Sequence, residues 1–361
     1  MTSRIVVLRG FPGDLLDLLD RLREVRRRGD VPLVGDERWP SAHWSAVHDL
    51  VAGAPVPGEA AWATLTSGTS GRPRIVLRTA ASWQRSFAAI STILTGPVLL
   101  PAPPASSLTL FSLAHALDGG PAPVADSQDA TSFHGTPHAL RTVLDTHPRL
   151  RVALVGGSHL DPSLRTAAEA RGIRVISYYG AAELSFVALD DGTGLRAFPG
   201  VDLDVRDGEL WVRTPYAALG YLGGTGPLRT DGARSTVGDL ASLDQGVLTL
   251  HGRADSAILT ASATVVPDEV ETQVRTIAGV RDAVVFGIPA PGIGEIVAAL
   301  VEPDGPALTA GRLRTTVEAG LATAHRPRVW FVGELPRTAS GKPARAEARR
   351  RALTGEVPRL A

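Results

Sequence analysis

The sequence contains no cysteine, no asparagine and only one lysine, Lys342. Without cysteine there is no disulfide framework, no thiolate nucleophile and no Cys-ligated metal, which fits a reducing compartment. An excess of one charge is also missing. The 37 basic residues balance 37 acidic ones, so no global field favours nucleic acid or anionic lipid. No uncharged apolar run approaches the roughly eighteen residues of a membrane span. The first strand-like run is broken by Arg9, Gly10 and Pro12, which speaks against a signal peptide or anchor. A cytoplasmic protein with no nucleic-acid partner and no membrane span is therefore expected.

With 361 residues, 44% of them apolar and 20% charged, the chain can bury a substantial core, and its length points to two domains. Scarcity of lysine and asparagine looks like the product of a GC-rich genome, in which arginine fills generic surface positions. A lysine that survives such a bias marks a place where a compact ammonium on a flexible stem is needed and a planar guanidinium does not serve.

Hydrophobic periodicity organises the chain. A strand at Ile5 to Leu8 precedes an amphipathic helix whose apolar face is Leu15, Leu16, Leu18, Leu19 and Leu22. Strands are expected at Val98 to Leu100, Val152 to Val155 and Ile173 to Tyr178, with helices at His138 to Leu144 and Pro162 to Arg171. That alternation argues for an α/β domain with parallel pairing. After about residue 195 the texture changes to short strands separated by Asp-Gly and Gly-Gly turns. Beyond Arg253 an α+β pattern follows: helices over Pro267 to Ile277 and Ala310 to Ala322, and strands over Ala283 to Ile288, Glu295 to Val301 and Arg328 to Val332. The Arg-rich end, Arg345 to Arg351, reads as a solvated helix face. A boundary is expected near Gly252 to Asp255.

The run Ser67-Gly-Thr-Ser-Gly-Arg-Pro-Arg74 is a small-residue loop rich in hydroxyls and ending in a cation. Glycines let backbone N–H groups approach an anion closely, so the loop suits phosphate, although its spacing is not that of a Walker loop. In order along the chain stand TSGTSGRPR (66–74), YYGAAE (178–183), VGDLA (237–241), GRADSAI (252–258), VVPDEVE (265–271) and LPRTASGK (335–342). Together they resemble the adenylate-forming, AMP-binding superfamily of acyl-CoA synthetases, over roughly residues 60–350. Within it, the short N-terminal part resembles the compact actinobacterial o-succinylbenzoate–CoA ligases.

The resemblance implies a large N-terminal α/β domain with mixed sheets (1–252) and a small, mobile C-terminal α+β domain (253–361) with its hinge near Asp255. It implies ATP and Mg²⁺ as cofactors, a small carboxylic acid as substrate, and coenzyme A or the pantetheine of an acyl carrier protein as acceptor. Thr66, Ser67, Gly68, Thr69, Ser70, Gly71 and Arg74 then correspond to the phosphate loop. Tyr179 and Gly180 correspond to the adenine site. Glu183 corresponds to the Mg²⁺-ligating carboxylate, for which a hard oxygen donor is suited. Asp239 corresponds to the ribose-binding carboxylate, an acceptor-only group when ionised. Arg253 corresponds to a ribose or phosphate contact, and Lys342 to the catalytic lysine. Gly156, Gly157, Ser158 and Ala181 correspond to the substrate side, with His134, His138 and His159 as further candidates for the acyl pocket.

Departures from the family pattern are informative. Arg74 and Ile75 stand where Lys-Gly is usual, Ala182 replaces a threonine, and Pro103 to Ser107 carries no histidine. Ala261 and Ser262 occupy a loop where relatives commonly have glycines. Adenylation is thus better supported than transfer to a thiol. A carrier protein or an amine as acceptor stays open, as does a non-catalytic nucleotide-binding relative.

Overall fold

The computed structural model describes residues 3–67, 73–253, 256–260, 264–290, 294–305, 308–338 and 342–360. It is a mixed α/β structure. The chain divides into two compact units: Met1–Val237 with Leu243–Thr249 and Ala339–Lys342, and Gly238–Ser242 with Leu250–Thr338 and Pro343–Ala361.

In the first unit one sheet runs β1 (Ile5–Gly10), β2 (Val31–Asp36), β3 (Trp62–Ser67) and β4 (Pro73–Arg78), and is extended by the short strand Gly220–Tyr221. β1, β2 and β3 are parallel, while β3 and β4 form an antiparallel hairpin. Helix Leu15–Arg27 links β1 and β2 and buries Leu15, Leu18, Leu19, Leu22 and Val25. Leu16, expected on that face, is 64% exposed. A 3.6-residue period places it off the 15/18/22/25 stripe, which Val25 continues.

The second sheet holds β5 (Val98–Leu99), β6 (Pro123–Val124), β7 (Ser132–Gly135), β8 (Val152–Val155), β9 (Arg174–Ala181), β10 (Ser185–Asp190) and β11 (Arg196–Ala197). Its order is β11-β10-β9-β8-β7-β5-β6, and β9, β8, β7, β5 and β6 are parallel. Helices Ser107–Leu117, Pro137–Val143 and Pro162–Glu169 make the crossovers that parallel pairing requires. Strand order reverses at β5, and in such sheets ligands bind beyond the carboxyl ends of the strands. β8 is wholly buried, so Val152 to Val155 reads as a continuous apolar run rather than an alternation. Further on, Asp207 and Gly208 both have positive φ (51° and 78°) and join Asp202–Arg206 to Glu209–Arg213, as the Asp-Gly signal anticipates.

In the second unit, strands Val280–Ala290 and Gly294–Pro303 pair antiparallel, and Val329–Val332 runs parallel to the latter. Both faces are covered. Val285, Val297 and Ala299 pack with Val270, Val274, Leu313 and Val317 from helices Pro267–Arg275 and Ala310–Gly320. Val284, Phe286 and Leu300 pack on the other side with Ala348 of helix Arg345–Leu353.

Candidate active site

The tip of the β9–β10 hairpin carries Glu183. Ala181 pairs with Ser185, the Leu184 N–H donates to the Ala181 carbonyl at 3.1 Å, and Ser185 has φ of +60°. This is a three-residue hairpin loop, a turn followed by one left-handed residue. Gly180, in β9 just before the loop, must be glycine, because a Cβ there would lie 2.2 Å from the Ser185 carbonyl oxygen. Glu183 is buried, 6% exposed. Its Oε1 accepts from the Tyr221 hydroxyl at 2.8 Å, and that hydroxyl accepts from the Leu228 N–H at 3.1 Å. The Glu183 backbone carbonyl accepts from the Ala218 N–H at 2.7 Å. Burial, and then the neighbouring carboxylate, raise the Tyr221 hydroxyl's pKa well above its usual value, so it stays a protonated donor.

Beyond the carboxyl end of β8 the chain turns through Gly156 and Gly157. The Gly156 N–H donates to the Gly135 carbonyl at 3.0 Å, and a Cβ on Gly156 would strike the Tyr178 ring at 2.2 Å. Gly157 has φ of +89°, and a Cβ there would lie 3.2 Å from Lys342 Cε. The first unit thus gathers Gly156, Gly157 and the Lys342 side chain at one strand end, with Tyr178 leading into Tyr179, Gly180, Ala181 and Glu183. Ser158 is exposed, and Tyr179 and Ala181 are half-buried.

Thr66 and Arg74 are cross-strand partners on the β3–β4 hairpin, and Ser67 pairs with Pro73. The residues between them, Gly68, Thr69, Ser70 and Gly71 included, lie outside the described residues, as do Asp255, Ala261, Ser262, Ser340 and Gly341. In the second unit Arg253 Nε stands 3.9 Å from Asp239 Oδ1, a long ion pair. Among the described residues no group of three or more His, Asp or Glu is preformed around a metal ion. A lone Glu183 suits Mg²⁺ that arrives on phosphates and keeps most of its oxygen ligands from them and from water.

The histidines separate. His138 and His159 are exposed, whereas His134 is fully buried behind the site. The Ser112 hydroxyl lies 2.7 Å from His134 Nδ1 and the Tyr178 hydroxyl 3.1 Å from Nε2. Burial, with a smaller push from His115, depresses His134 to about 3, so the ring is neutral. Phe111 and Phe186 pack with it, and the Phe186 and Tyr178 rings are 4.6 Å apart.

Sequence reasoning missed Tyr178, Tyr221 and Arg78. Two signals were available: Tyr221 is one of four tyrosines and follows a glycine, and Arg78 ends an otherwise apolar run.

Matches to family models agree with this geometry. Residues 14–222 match the AMP-binding enzyme family and residues 269–342 the AMP-binding enzyme C-terminal domain. The chain belongs to the AMP-binding enzyme family, the ATP-using, adenylate-forming acyl-CoA ligases. More particularly, it is similar to a probable 2-succinylbenzoate–CoA ligase of Mycobacterium tuberculosis, 33% identical over 94% of this chain and 96% of that one. A fatty acid–[acyl-carrier-protein] ligase of Mycobacterium marinum is 30% identical over 56% of this chain and 46% of the relative. In fold it matches a variant of E. coli MenE with bound OSB-AMS, with a TM-score of 0.83, 20% identity, and coverage of 98% of this chain and 88% of that one.

Proposed function

We propose that this protein joins a small carboxylic acid to ATP as an acyl-adenylate and then passes the acyl group to the thiol of coenzyme A, in the cytoplasm. In the first step a substrate carboxylate oxygen attacks the α-phosphorus and the bond to pyrophosphate breaks. In the second a thiolate attacks the acyl carbon and AMP leaves. The observation that carries the reading is the place of the chain's one lysine: Lys342 Cε lies beside Gly157 at the carboxyl end of β8, in the compact unit that also holds Glu183. An ammonium there offsets charge building on the carboxylate and α-phosphate.

By resemblance to the family, the loop Thr66 to Gly71 with Arg74 binds the phosphates, and Tyr179 and Gly180 form the adenine wall. Asp239 accepts the ribose hydroxyls, and Arg253 sits next to it. Gly156, Gly157, Ser158 and Ala181 leave room for the substrate carboxylate. Glu183 would hold Mg²⁺, which when bound neutralises phosphate charge. We place the domain boundary at 252/253 with Asp255 as the hinge.

The test is pyrophosphate release across a panel of carboxylic acids, 2-succinylbenzoate first because of the mycobacterial relative, with and without coenzyme A. Pyrophosphate with one acid and acyl-CoA on adding the thiol is expected, and no pyrophosphate with any acid would overturn the reading. A second reading, transfer to a carrier protein or an amine, is favoured by Ala261 and Ser262 in place of the usual glycines. Pyrophosphate release with no acyl-CoA formed would select it.

A further inference from the structure

Arg78 belongs to none of the roles assigned above, yet it is completely buried at the end of β4. Its Nε and one terminal nitrogen donate to the Ala182 carbonyl at 3.0 and 2.8 Å. The other terminal nitrogen donates to the Tyr216 carbonyl at 2.7 Å and to the Ser82 hydroxyl at 3.2 Å. The Trp83 ring lies 5.5 Å from the guanidinium carbon. A buried cation persists only where hydrogen bonds and an opposite charge compensate its desolvation. Burial pulls this guanidinium down to about 9, and the Glu183 carboxylate opposes that fall. One fork therefore grips the residue just before Glu183, whose carboxylate is the opposite charge that acts on it. From the strand next to β4, which pairs Tyr221 with Val76, Tyr221 holds the carboxylate.

We propose that Arg78 is a positioning residue: by clamping the Ala182 carbonyl beside β4 it fixes the hairpin tip that aims Glu183 into the adenylation site. The inference rests on the reading of Glu183 as a group that acts in adenylate formation. Lysine retains the charge but cannot span the two carbonyls, and methionine retains the length but not the charge.

The experiment compares R78M, R78K, E183Q and R78M/E183Q in the full chain by pyrophosphate-release kinetics, with circular dichroism to establish folding. R78M is expected to lose about 10²-fold in kcat, the scale of a misplaced catalytic group, with little change in KM for ATP. R78K should recover part of that loss. In the E183Q background R78M should cost nothing further. A merely structural Arg78 would instead give losses that multiply across the two sites, and that result overturns the proposal, as does an R78M enzyme with wild-type kcat. Should R78M fail to fold, hydrogen exchange in R78K decides: amides of residues 181–185 must exchange faster than in the wild type, and unchanged exchange refutes the clamp. Absence of pyrophosphate from the wild type would count against the functional reading alone, and the exchange measurement would still judge the clamp.

Discussion

Lys342 shows how far one residue can be read. Its identity is informative because arginine supplies every other basic position, and its Cε lies beside Gly157, where a glycine turn leaves space for the side chain. K342A should lose about 10²–10³ in adenylation rate, the typical effect of removing one transition-state donor, with an unchanged melting temperature. K342R should also be badly impaired. Pyrophosphate release at near-normal rates in K342A would end the assignment. His134 makes a prediction of a different kind. Its folded pKa, about 3, lies below the ordinary value near 6.5, and burial lowers that of His115 too. Between those values the unfolded chain binds a proton that the folded one does not. His134 therefore leaves stability intact above about pH 6.5 and removes about 1.4 kcal/mol per unit as pH falls below it. Ser112, Tyr178, Phe111, Phe186 and His115 surround the ring, and among the described residues no acid opposes this. Between pH 7 and 5 the wild type should lose about 2 kcal/mol more in urea unfolding than H134Q. Equal losses would mean that His134 is protonated in the folded state.

At the scale of elements, the hairpin β9–β10 concentrates the constraints. Its turn type, the left-handed Ser185, and the backbone packed on Gly180 all fix the direction in which Glu183 leaves the sheet. G180A must push the Ser185 carbonyl aside, since 2.2 Å is far inside van der Waals contact. It should destabilise the protein by about 1–3 kcal/mol, as overpacking does, and depress adenylation well beyond what the loss of folded protein explains. Titrating active sites in purified G180A checks this, and full specific activity would show that the turn relaxes without moving Glu183. The YYGAAE segment is legible as chemistry because its residue types are unusual together. Its supports are not, because Arg78 and Tyr221 come from strands about 100 residues before it and 40 after it, and no local pattern announces such a meeting.

For the whole molecule, periodicity and turn residues reveal most of the architecture. The buried run at β8, the alternating crossover helices and the α+β character after residue 253 are all present in the linear pattern. If the domain boundary lies at 252/253 with Asp255 as the hinge, limited proteolysis should cut between residues 250 and 264, and less readily once an acyl-adenylate mimic is bound. Identical cleavage with and without the mimic would count against a ligand-coupled hinge.

The sequence by itself determined the family, the order of its motifs and the singular lysine, because these depend on residue type and spacing along one chain. It also determined which helix faces are apolar, with Leu16 the exception, since the face carrying Leu15, Leu18, Leu19, Leu22 and Val25 leaves position 16 on the solvent side. Only the tertiary structure decided that His134, a candidate for the acyl pocket in the sequence, is buried and held neutral, because a pKa depends on burial and neighbours that converge from separate strands. It alone decided that Arg78, which in the sequence could pass for one more surface arginine, is buried whole with its guanidinium on the Ala182 and Tyr216 carbonyls.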